Sequence, residues 1–177
     1  MKSDEELIEL CRVDIDRGMS EIISRYSREL YWYIRRVITD HSDTDDILQE
    51  VFIKVWKNIY KFKGNSTLKT WIWSIATNKI RYFIRKRKLL SIFISKENQD
   101  NLDDIISDEM TEFGDIEKKL VKALNSLPVR QKLVFNMRYY EDMSYEEMSK
   151  ILNVSVGGLK SSYHIAVKKI EKYLQDN

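Results

Sequence analysis

The chain has 177 residues, of which 33% are charged and 43% are hydrophobic, and its formal net charge is +2. This composition excludes a wholly disordered chain, and one proline with five glycines favours long helices over a turn-rich β protein. With Cys11 as its one cysteine, the chain has neither an internal disulfide nor a cysteine-based metal site. It has no apolar run near the roughly 18 residues of a membrane span and its polar start does not resemble a signal peptide, so we expect a soluble, cytoplasmic protein.

Charge is distributed unevenly along the chain. Residues 1–88 carry 18 basic and 13 acidic groups, residues 89–117 carry one basic and nine acidic groups, and residues 118–177 carry 11 basic and six acidic groups. The net charges of the three segments are therefore +5, −8 and +5. Together with the low content of proline and glycine and the helical spacing of apolar residues described below, this asymmetry predicts an all-α protein. We expect two small helical domains, 1–90 and 115–177, joined by a flexible acidic linker, 91–114.

Two helices are predicted at the start of the first domain. Ser3 and Glu6 have the spacing of a capping box, so the first helix begins there. Apolar residues recur at helical spacing between residues 22 and 37, which predicts a second helix. Gly18 predicts a break between the two helices.

A third and a fourth helix follow. A polar turn predicts the start of the third, with Ser42 or Asp43 as its cap, and this helix runs to about Phe62. Residues 63–66 have the composition of a loop, and the fourth helix begins directly after them and reaches Lys88.

The third helix has an apolar side and a mixed side. We predict an inner side of Ile47, Leu48, Val51, Phe52, Val55, Trp56 and Ile59, and an outer side of Asp46, Gln49, Glu50, Ile53, Lys57 and Tyr60. An isoleucine and a tyrosine ringed by acids are typical of a docking surface for another protein's helix. A charged, solvated face has the same pattern, so periodicity leaves both interpretations open.

The fourth helix combines tryptophans with basic residues. Trp71 and Trp73 flank a polar face of Ser74, Thr77, Asn78, Arg81, Arg85 and Lys88. Bases stack on aromatic rings and arginines bind phosphates, so the pattern suits single-stranded nucleic acid, and the adjacent loop can close over a flipped base. In the alternative interpretation both tryptophans lie in the core and the basic residues are solvated.

The second domain ends in a predicted helix-turn-helix. One apolar stripe precedes Pro128, a second helix follows it, and Ser144 with Glu147 forms a capping box that opens a short third helix. Residues 153–155 then turn into the last helix. Its predicted buried side holds Val156, Leu159, Tyr163, Ala166, Val167, Ile170 and Leu174, and its exposed side holds Gly157, Lys160, Ser161, His164, Ile165, Lys168 and Lys172. A small, polar and basic face suits the DNA major groove, although an ordinary amphipathic helix has the same periodicity.

These motifs, taken in order, resemble the sigma-70 family. Residues 43–52 with Trp56 resemble its acidic polymerase-binding helix, and residues 62–66 with 70–78 resemble its small members, the extracytoplasmic-function (ECF) sigma factors. Leu127-Pro128, residues 145–148 and residues 156–161 resemble their C-terminal helix-turn-helix domain. The resemblance spans nearly the whole chain.

The resemblance implies roles for particular residues. Those matching positions that bind RNA polymerase are Asp46, Gln49, Glu50 and Ile53. Those implied in capture and melting of the −10 promoter element are Phe62, Gly64, Asn65, Ser66, Trp71, Trp73, Asn78, Arg81 and Arg85. Those implied in reading the −35 element are Lys160, Ser161, His164, Ile165 and Lys168. Family members often place arginines after the segment matching Lys160 and Ser161, and their absence here leaves the −35 sequence open.

The resemblance implies a promoter-specificity subunit that binds core RNA polymerase and promoter DNA, with an anti-sigma factor as a further partner. The sequence offers no catalytic residues, metal-ligand cluster or cofactor motif, so we expect no enzymatic activity, no bound metal and no small-molecule substrate. The alternative is a stand-alone helix-turn-helix regulator of duplex DNA, and a protein-interaction adaptor is a third possibility. The acidic outer helix and the tryptophan-rich basic face argue against the regulator, because it needs neither polymerase docking nor strand capture.

Overall fold

A computed structural model describes residues 2–94 and 115–176. Within these ranges the chain forms helices and no strand, which confirms the all-α prediction. The chain divides into two compact units, Met1–Ile80 and Arg81–Asn177, and the boundary falls within a single long helix. Of the predicted linker, residues 91–94 continue this helix, and residues 95–114 lie outside the described residues.

The first unit contains α1 (Asp4–Val13), α2 (Ile15–Arg35), α3 (His41–Asn58), a short 3-10 helix (Ile59–Lys61) and the start of α4 (Leu68–Ile94). The capping box of α1 is confirmed: the Ser3 hydroxyl accepts from the Glu6 amide, and the Glu6 carboxylate accepts from the Ser3 amide. The core is built from residues of all four helices, among them the fully buried Leu7, Ile22, Leu30, Tyr33, Val51, Ile72 and Trp73.

The predicted break at Gly18 is wrong. Gly18 lies inside α2, and the chain turns instead at Asp14, whose side chain caps α2 by accepting from the Arg17 amide. A Cβ atom at Gly18 would lie 2.7 Å from the backbone of Cys11 in α1. The glycine therefore permits a close approach of two helices, and the same contact buries Cys11, whose thiol pKa is raised by desolvation.

The predicted ends of the third helix need correction. Asp40, and neither Ser42 nor Asp43, caps α3, because its carboxylate accepts from the Asp43 amide at 2.8 Å. The helix also stops at Asn58, and the tighter 3-10 turn that follows ends just before Phe62. This turn redirects the chain into the loop of residues 62–67.

The second unit contains α5 (Asp115–Asn125), α6 (Val129–Tyr139), α7 (Tyr145–Leu152) and α8 (Val156–Asp176), as the sequence predicts. Ser144 and Glu147 form the predicted capping box at the start of α7. The core of the second unit joins α5, α6 and α8 through Ala123, Leu124, Leu127, Phe135, Ala166 and Ile170. The Phe135 ring stacks with those of Tyr139 and Tyr163, at centroid distances of 5.1 and 5.9 Å.

Candidate functional site

The outer face of α3 is exposed. Asp46, Gln49, Glu50 and Ile53 recur at spacings of three and four residues, so they share one side of the helix, and all four are solvent-exposed. The side chain of Ile53 is 42% exposed, so this face has an apolar residue among its polar ones. The structure thus brings together the four residues predicted to bind polymerase.

A groove that the sequence did not reveal lies beside this face. It has a volume of about 570 Å³, and its walls are Asp16, Met19, Ser20 and Ile23 from α2 and Gln49, Phe52, Ile53 and Trp56 from α3. Trp56 was predicted on the inner side, and this is wrong, because its side chain is 48% exposed. It lies three residues after Ile53 and seven after Gln49, so helical geometry directs it to the outer face. The signal that could have found the groove is the pair Met19 and Ile23, one turn apart in α2.

Glu50 connects the outer face of α3 to α4. Its carboxylate lies 2.6 Å from the Lys79 ammonium, and the two side chains are 58% and 32% exposed. A pair this exposed adds little to stability. The contact places the Glu50 carboxylate at the side of α3 that faces α4.

The loop between the 3-10 helix and α4 carries four of the predicted −10 residues. Phe62 packs against Trp71 with ring centroids 5.3 Å apart, and both rings are partly buried. Gly64 has φ +72°, in the left-handed region that glycine adopts without strain, and Asn65 beside it is exposed. The Ser66 hydroxyl donates to the Thr67 carbonyl oxygen. The loop therefore presents polar groups next to the packed aromatic rings of Phe62 and Trp71.

Trp73 does not lie at the edge of the polar face. Its side chain is fully buried, and its ring meets those of Tyr26 and Tyr33 at centroid distances of 6.1 and 6.0 Å. Thr77 is buried too, with its hydroxyl 2.8 Å from that of Tyr33. The buried side of α4 is thus wider than the sequence predicted. Because the Trp73 ring is fully enclosed, no nucleotide base can stack on it. Of the two tryptophans, only Trp71 faces the loop.

The remaining polar face of α4 is accessible. Asn78, Arg81 and Arg85 are exposed and follow one another at spacings of three and four residues. The Arg85 guanidinium donates to the Arg81 carbonyl oxygen at 3.3 Å, so its side chain folds back along the helix. Along this helix face, the Asn78 amide can bind a nucleotide base, and the two arginines that follow can bind the adjacent phosphates.

The helix-turn-helix has the predicted form. Asn153 ends α7 with φ 55°, a left-handed conformation that asparagine tolerates better than most residues, and α8 begins three residues later. Lys160, Ser161, His164, Ile165 and Lys168 are all exposed on α8, as predicted. The predicted buried side is confirmed at Leu159, Ala166 and Ile170, whereas Leu174 in the last turn is 37% exposed.

Tyr145 supports the exposed face of α8, a role that sequence reasoning missed. The Lys160 ammonium lies 5.7 Å from the centre of the Tyr145 ring, and the Arg138 guanidinium lies 5.5 Å from it. Contact of two cations with one ring concentrates positive charge where α7 meets α8. No pattern within α8 could indicate this, because the three residues come from three different helices.

Among the residues that the structure describes, no helix is long and apolar enough to cross a membrane. Within the same residues, no three His, Cys, Asp or Glu side chains are grouped so that they could hold a metal ion. The faces of α3, α4 and α8 described above have exposed polar and apolar side chains, which suit binding of macromolecules.

Comparison with known proteins identifies two consecutive family regions. Sigma-70 region 2 matches residues 22–89, and sigma-70 region 4 matches residues 117–170. Together these regions cover more than half of the chain, and they contain the surfaces described above on α3, α4 and α8.

Full-length relatives agree with these matches. The ECF RNA polymerase sigma factor SigX of Bacillus subtilis is 28% identical over 85% of this chain and 80% of its own length. The ECF RNA polymerase sigma-E factor of Haemophilus influenzae is 26% identical over 98% of this chain and 96% of its own length.

Two solved structures share the fold. The sigma factor RpoE, in complex with the anti-sigma factor NepR from Bartonella quintana, has a TM-score of 0.75 at 20% identity and covers 88% of this chain and 96% of its own. CnrH, in complex with the cytosolic domain of CnrY, has a TM-score of 0.74 at 19% identity and covers 99% of both chains. The two family regions in this order, together with ECF relatives that match over most of their own length, show that the chain belongs to the sigma-70 family, in its ECF group.

Proposed function

We propose that the protein is a promoter-specificity subunit that docks on core RNA polymerase, recognises the −35 and −10 elements, and promotes DNA melting at the −10 element. The observation that carries the proposal is the order of three exposed surfaces along the chain: the acidic face of α3, the loop with α4, and the basic face of α8. A sigma factor needs all three, one for polymerase and two for DNA. We assign residues 1–90 to polymerase docking and the −10 element, 91–114 to the linker, and 115–177 to the −35 element.

Docking on polymerase uses the outer face of α3. Asp46 and Glu50 offer carboxylates to basic side chains of the partner, and Gln49 offers both a donor and an acceptor. Ile53 supplies the apolar centre that a stable interface needs, and the groove beside it extends the apolar area. Charge around an apolar centre gives specificity and orientation more than affinity.

Capture of the −10 element uses the loop and the polar face of α4. Extruding a base from the duplex costs a few kcal/mol, and stacking on an aromatic ring returns about 1–3 kcal/mol. The loop residues Asn65 and Ser66 with Asn78 supply donors and acceptors for the edge of that base. Arg81 and Arg85 then bind phosphates of the separated strand. Trp73 acts in this step through the core that holds α4, not through contact with DNA.

Recognition of the −35 element uses α8 in the major groove. Lys160 and Lys168 are cations on this face, with Lys172 one turn further along the helix. Ser161, His164 and Ile165 are the side chains placed to contact base edges or a thymine methyl group. With few cations on the helix, we expect weak binding to duplex DNA by the protein alone.

The remaining assignments follow from this role. A subunit that binds polymerase and DNA acts in the cytoplasm, and it contributes binding energy and no catalytic group of its own. The two structures that share the fold were solved with an anti-sigma factor and with the cytosolic domain of CnrY, respectively. We propose that a partner of that class covers the polymerase- or DNA-binding surfaces of this chain.

A stand-alone regulator of duplex DNA is the competing function. Two assays together distinguish the alternatives. The first measures promoter-dependent transcription by purified core polymerase, with and without the protein, and the second is a gel shift of promoter DNA by the protein without polymerase. The proposal expects transcription that depends on the protein, and a gel shift that is weak or absent. Strong binding to DNA with no effect on initiation by core polymerase would instead identify a regulator.

A further inference from the structure

The loop that carries the −10 residues is hydrogen-bonded to α1 at both of its ends. On the incoming side, the Tyr60 hydroxyl donates to the Cys11 carbonyl oxygen at 3.2 Å. On the outgoing side, the Leu68 amide donates to an Asp4 carboxylate oxygen at 2.7 Å. The loop, residues 62–67, lies between these two contacts. One helix, which contains none of the predicted DNA-binding residues, therefore holds both of its ends.

Both contacts satisfy backbone groups that a helix leaves unpaired. The Cys11 carbonyl belongs to the last turn of α1, where carbonyl groups have no partner within the helix, and Tyr60 supplies the missing donor. The Leu68 amide belongs to the first turn of α4, where amide groups lack acceptors. The Asp4 carboxylate there also faces the positive end of the α4 dipole. The contacts are thus specific, because each one fills a fixed position at a helix end.

α1 is itself fixed to α2, so it can serve as a rigid reference. Gly18 lets the α2 backbone approach Cys11 closely. At the other end of α1, the Arg25 guanidinium lies 4.0 Å from the Asp4 carboxylate and donates to the Lys2 carbonyl oxygen at 2.6 Å. The ends of the loop are therefore tied to the α1–α2 pair.

We infer that α1 is a positioning element for base capture, and that Asp4 and Tyr60 are the positioning residues that set the separation of the two ends of the loop. This inference rests on the proposed function. A loop already held open in its binding conformation loses less conformational freedom when a base enters it. Asp4 and Tyr60 touch no base in this scheme and act through the backbone of the loop.

A purely structural role for α1 makes a different prediction. If the packing of Phe62 on Trp71 alone shaped the loop, loss of an α1 contact would lower stability and leave base preference intact. A measurement of base preference therefore distinguishes the two roles, whereas a measurement of stability does not.

The test uses holoenzyme assembled from the full chain and core polymerase, and a promoter library randomised at the −10 element. The variants are Asp4→Ala, Asp4→Asn and Tyr60→Phe, and the matched control is Glu5→Ala. The control also removes a carboxylate from the first turn of α1, but this side chain is exposed, and the hydrogen bonds that lower its pKa come from its own backbone and from Ser3. Hydrogen exchange of the Leu68 amide, measured in the free protein, reports on the contact itself.

We expect wild type and Glu5→Ala to enrich the same motif. With each variant in saturating excess over core polymerase, Asp4→Ala and Tyr60→Phe should reduce that enrichment by about threefold to tenfold. Asp4→Ala should also speed exchange of the Leu68 amide at least about fivefold. Asp4→Asn keeps an acceptor for the Leu68 amide and should retain most of the enrichment. If Asp4→Ala fails to fold, Tyr60→Phe decides the question, because it removes a single oxygen atom.

Two contrary outcomes have different meanings. If wild type enriches a motif and Asp4→Ala and Tyr60→Phe enrich it equally well, the positioning role is overturned and the proposed function stands. If wild-type holoenzyme enriches no motif, the proposed function fails and the positioning role fails with it.

Discussion

The ammonium group of Lys132 lies 2.8 Å from the side-chain oxygen of Asn125, which joins α6 to the end of α5. Lys132 is only 9% exposed, and the amide that it contacts carries no charge. Burial without charge compensation from this partner lowers the pKa of Lys132 to about 8, from an ordinary 10.5. The lysine therefore carries a desolvation cost at neutral pH.

The stability of the second unit should rise with pH from about 8 to 10.5. In this range the unfolded chain keeps the Lys132 proton that the folded chain has lost, so unfolding binds a proton and becomes less favourable as pH rises. Below about pH 8 both states are protonated and the full cost remains. Lys132→Met should remove this dependence and add about 2–3 kcal/mol at pH 7.

Urea unfolding followed by circular dichroism at several pH values measures this effect. Tryptophan fluorescence provides the control, because all four tryptophans, at positions 32, 56, 71 and 73, belong to the first unit. Their transition should not respond to Lys132→Met. A wild-type second unit whose stability is flat or falling between pH 8 and 10 would contradict the prediction.

Substitution of the two tryptophans of α4 should have different effects, mainly on stability at Trp73 and mainly on DNA melting at Trp71. Trp73→Ala empties a fully buried site beside Tyr26 and Tyr33 and should cost about 3–5 kcal/mol of unfolding free energy. Trp71→Ala removes a partly buried ring and should cost roughly 1 kcal/mol, while open-complex formation falls severalfold. Urea unfolding and permanganate reactivity of the melted strand are the two measurements. Equal stability losses would place both rings in the core.

Periodicity predicted the helices well and the width of their buried sides poorly. On α8 the exposed positions from Lys160 to Lys168 were all correct, because this helix packs on its neighbours along one side. On α4 the same reasoning failed at Trp73 and Thr77, which the α2 tyrosines cover. A single sequence gives the direction of the apolar side but does not give the number of helices that pack on it.

Local signals also competed with tertiary contacts. Gly18 resembled a helix break. A glycine is needed there instead because the Cys11 backbone of another helix leaves no room for a side chain. Asp40 caps α3, although Ser42 and Asp43 nearby are equally good capping residues by type. The contact from Asp4 to Leu68 spans 64 positions and leaves no pattern in the sequence.

Gly18→Ala should destabilise the first unit, whereas Gly157→Ala should not destabilise the second. A Cβ atom at Gly18 would stand 2.7 Å from the Cys11 backbone, which cannot yield as a flexible side chain would, so the expected cost is about 1–3 kcal/mol. A Cβ atom at Gly157 meets nothing within 4 Å, and alanine there should add about 0.5–1 kcal/mol through helix propensity. Urea unfolding of both variants checks this, and a neutral Gly18→Ala would show that α1 and α2 can separate without cost.

Charge reversal on the outer face of α3 should weaken binding to core polymerase. Asp46→Lys combined with Glu50→Lys should lower the affinity at least about tenfold, because two acids that face basic partner groups become repulsive. Glu9→Lys makes the same change of charge at an exposed position of α1, outside the predicted docking surface, and it should have little effect. Fluorescence anisotropy with labelled protein measures the dissociation constants.

The ion pair between Glu50 and Lys79 provides a second control for this surface. Glu50→Lys alone places two ammonium groups together, whereas the double change Glu50→Lys with Lys79→Glu restores an opposite pair in reversed orientation. Core binding should remain low in the double variant, because the docking carboxylate on α3 is still missing. Recovery of binding would show that Glu50 acts by holding α3 against α4.

Asn78→Ala should reduce DNA melting more than it reduces the first binding of promoter DNA. The Asn78 side chain is exposed on α4 and has both a donor and an acceptor for the edge of an extruded base, whereas closed duplex DNA presents no such base. We expect open complexes to fall about tenfold and closed-complex affinity to change less than about twofold. Permanganate footprinting measures the open complex, and a gel shift of holoenzyme at low temperature measures the closed one.

Asn58→Ala is the matched control, because the Asn58 amide donates to the Lys54 carbonyl within its own helix. Equal losses in both complexes for Asn78→Ala would place the asparagine in general DNA binding and outside the base pocket.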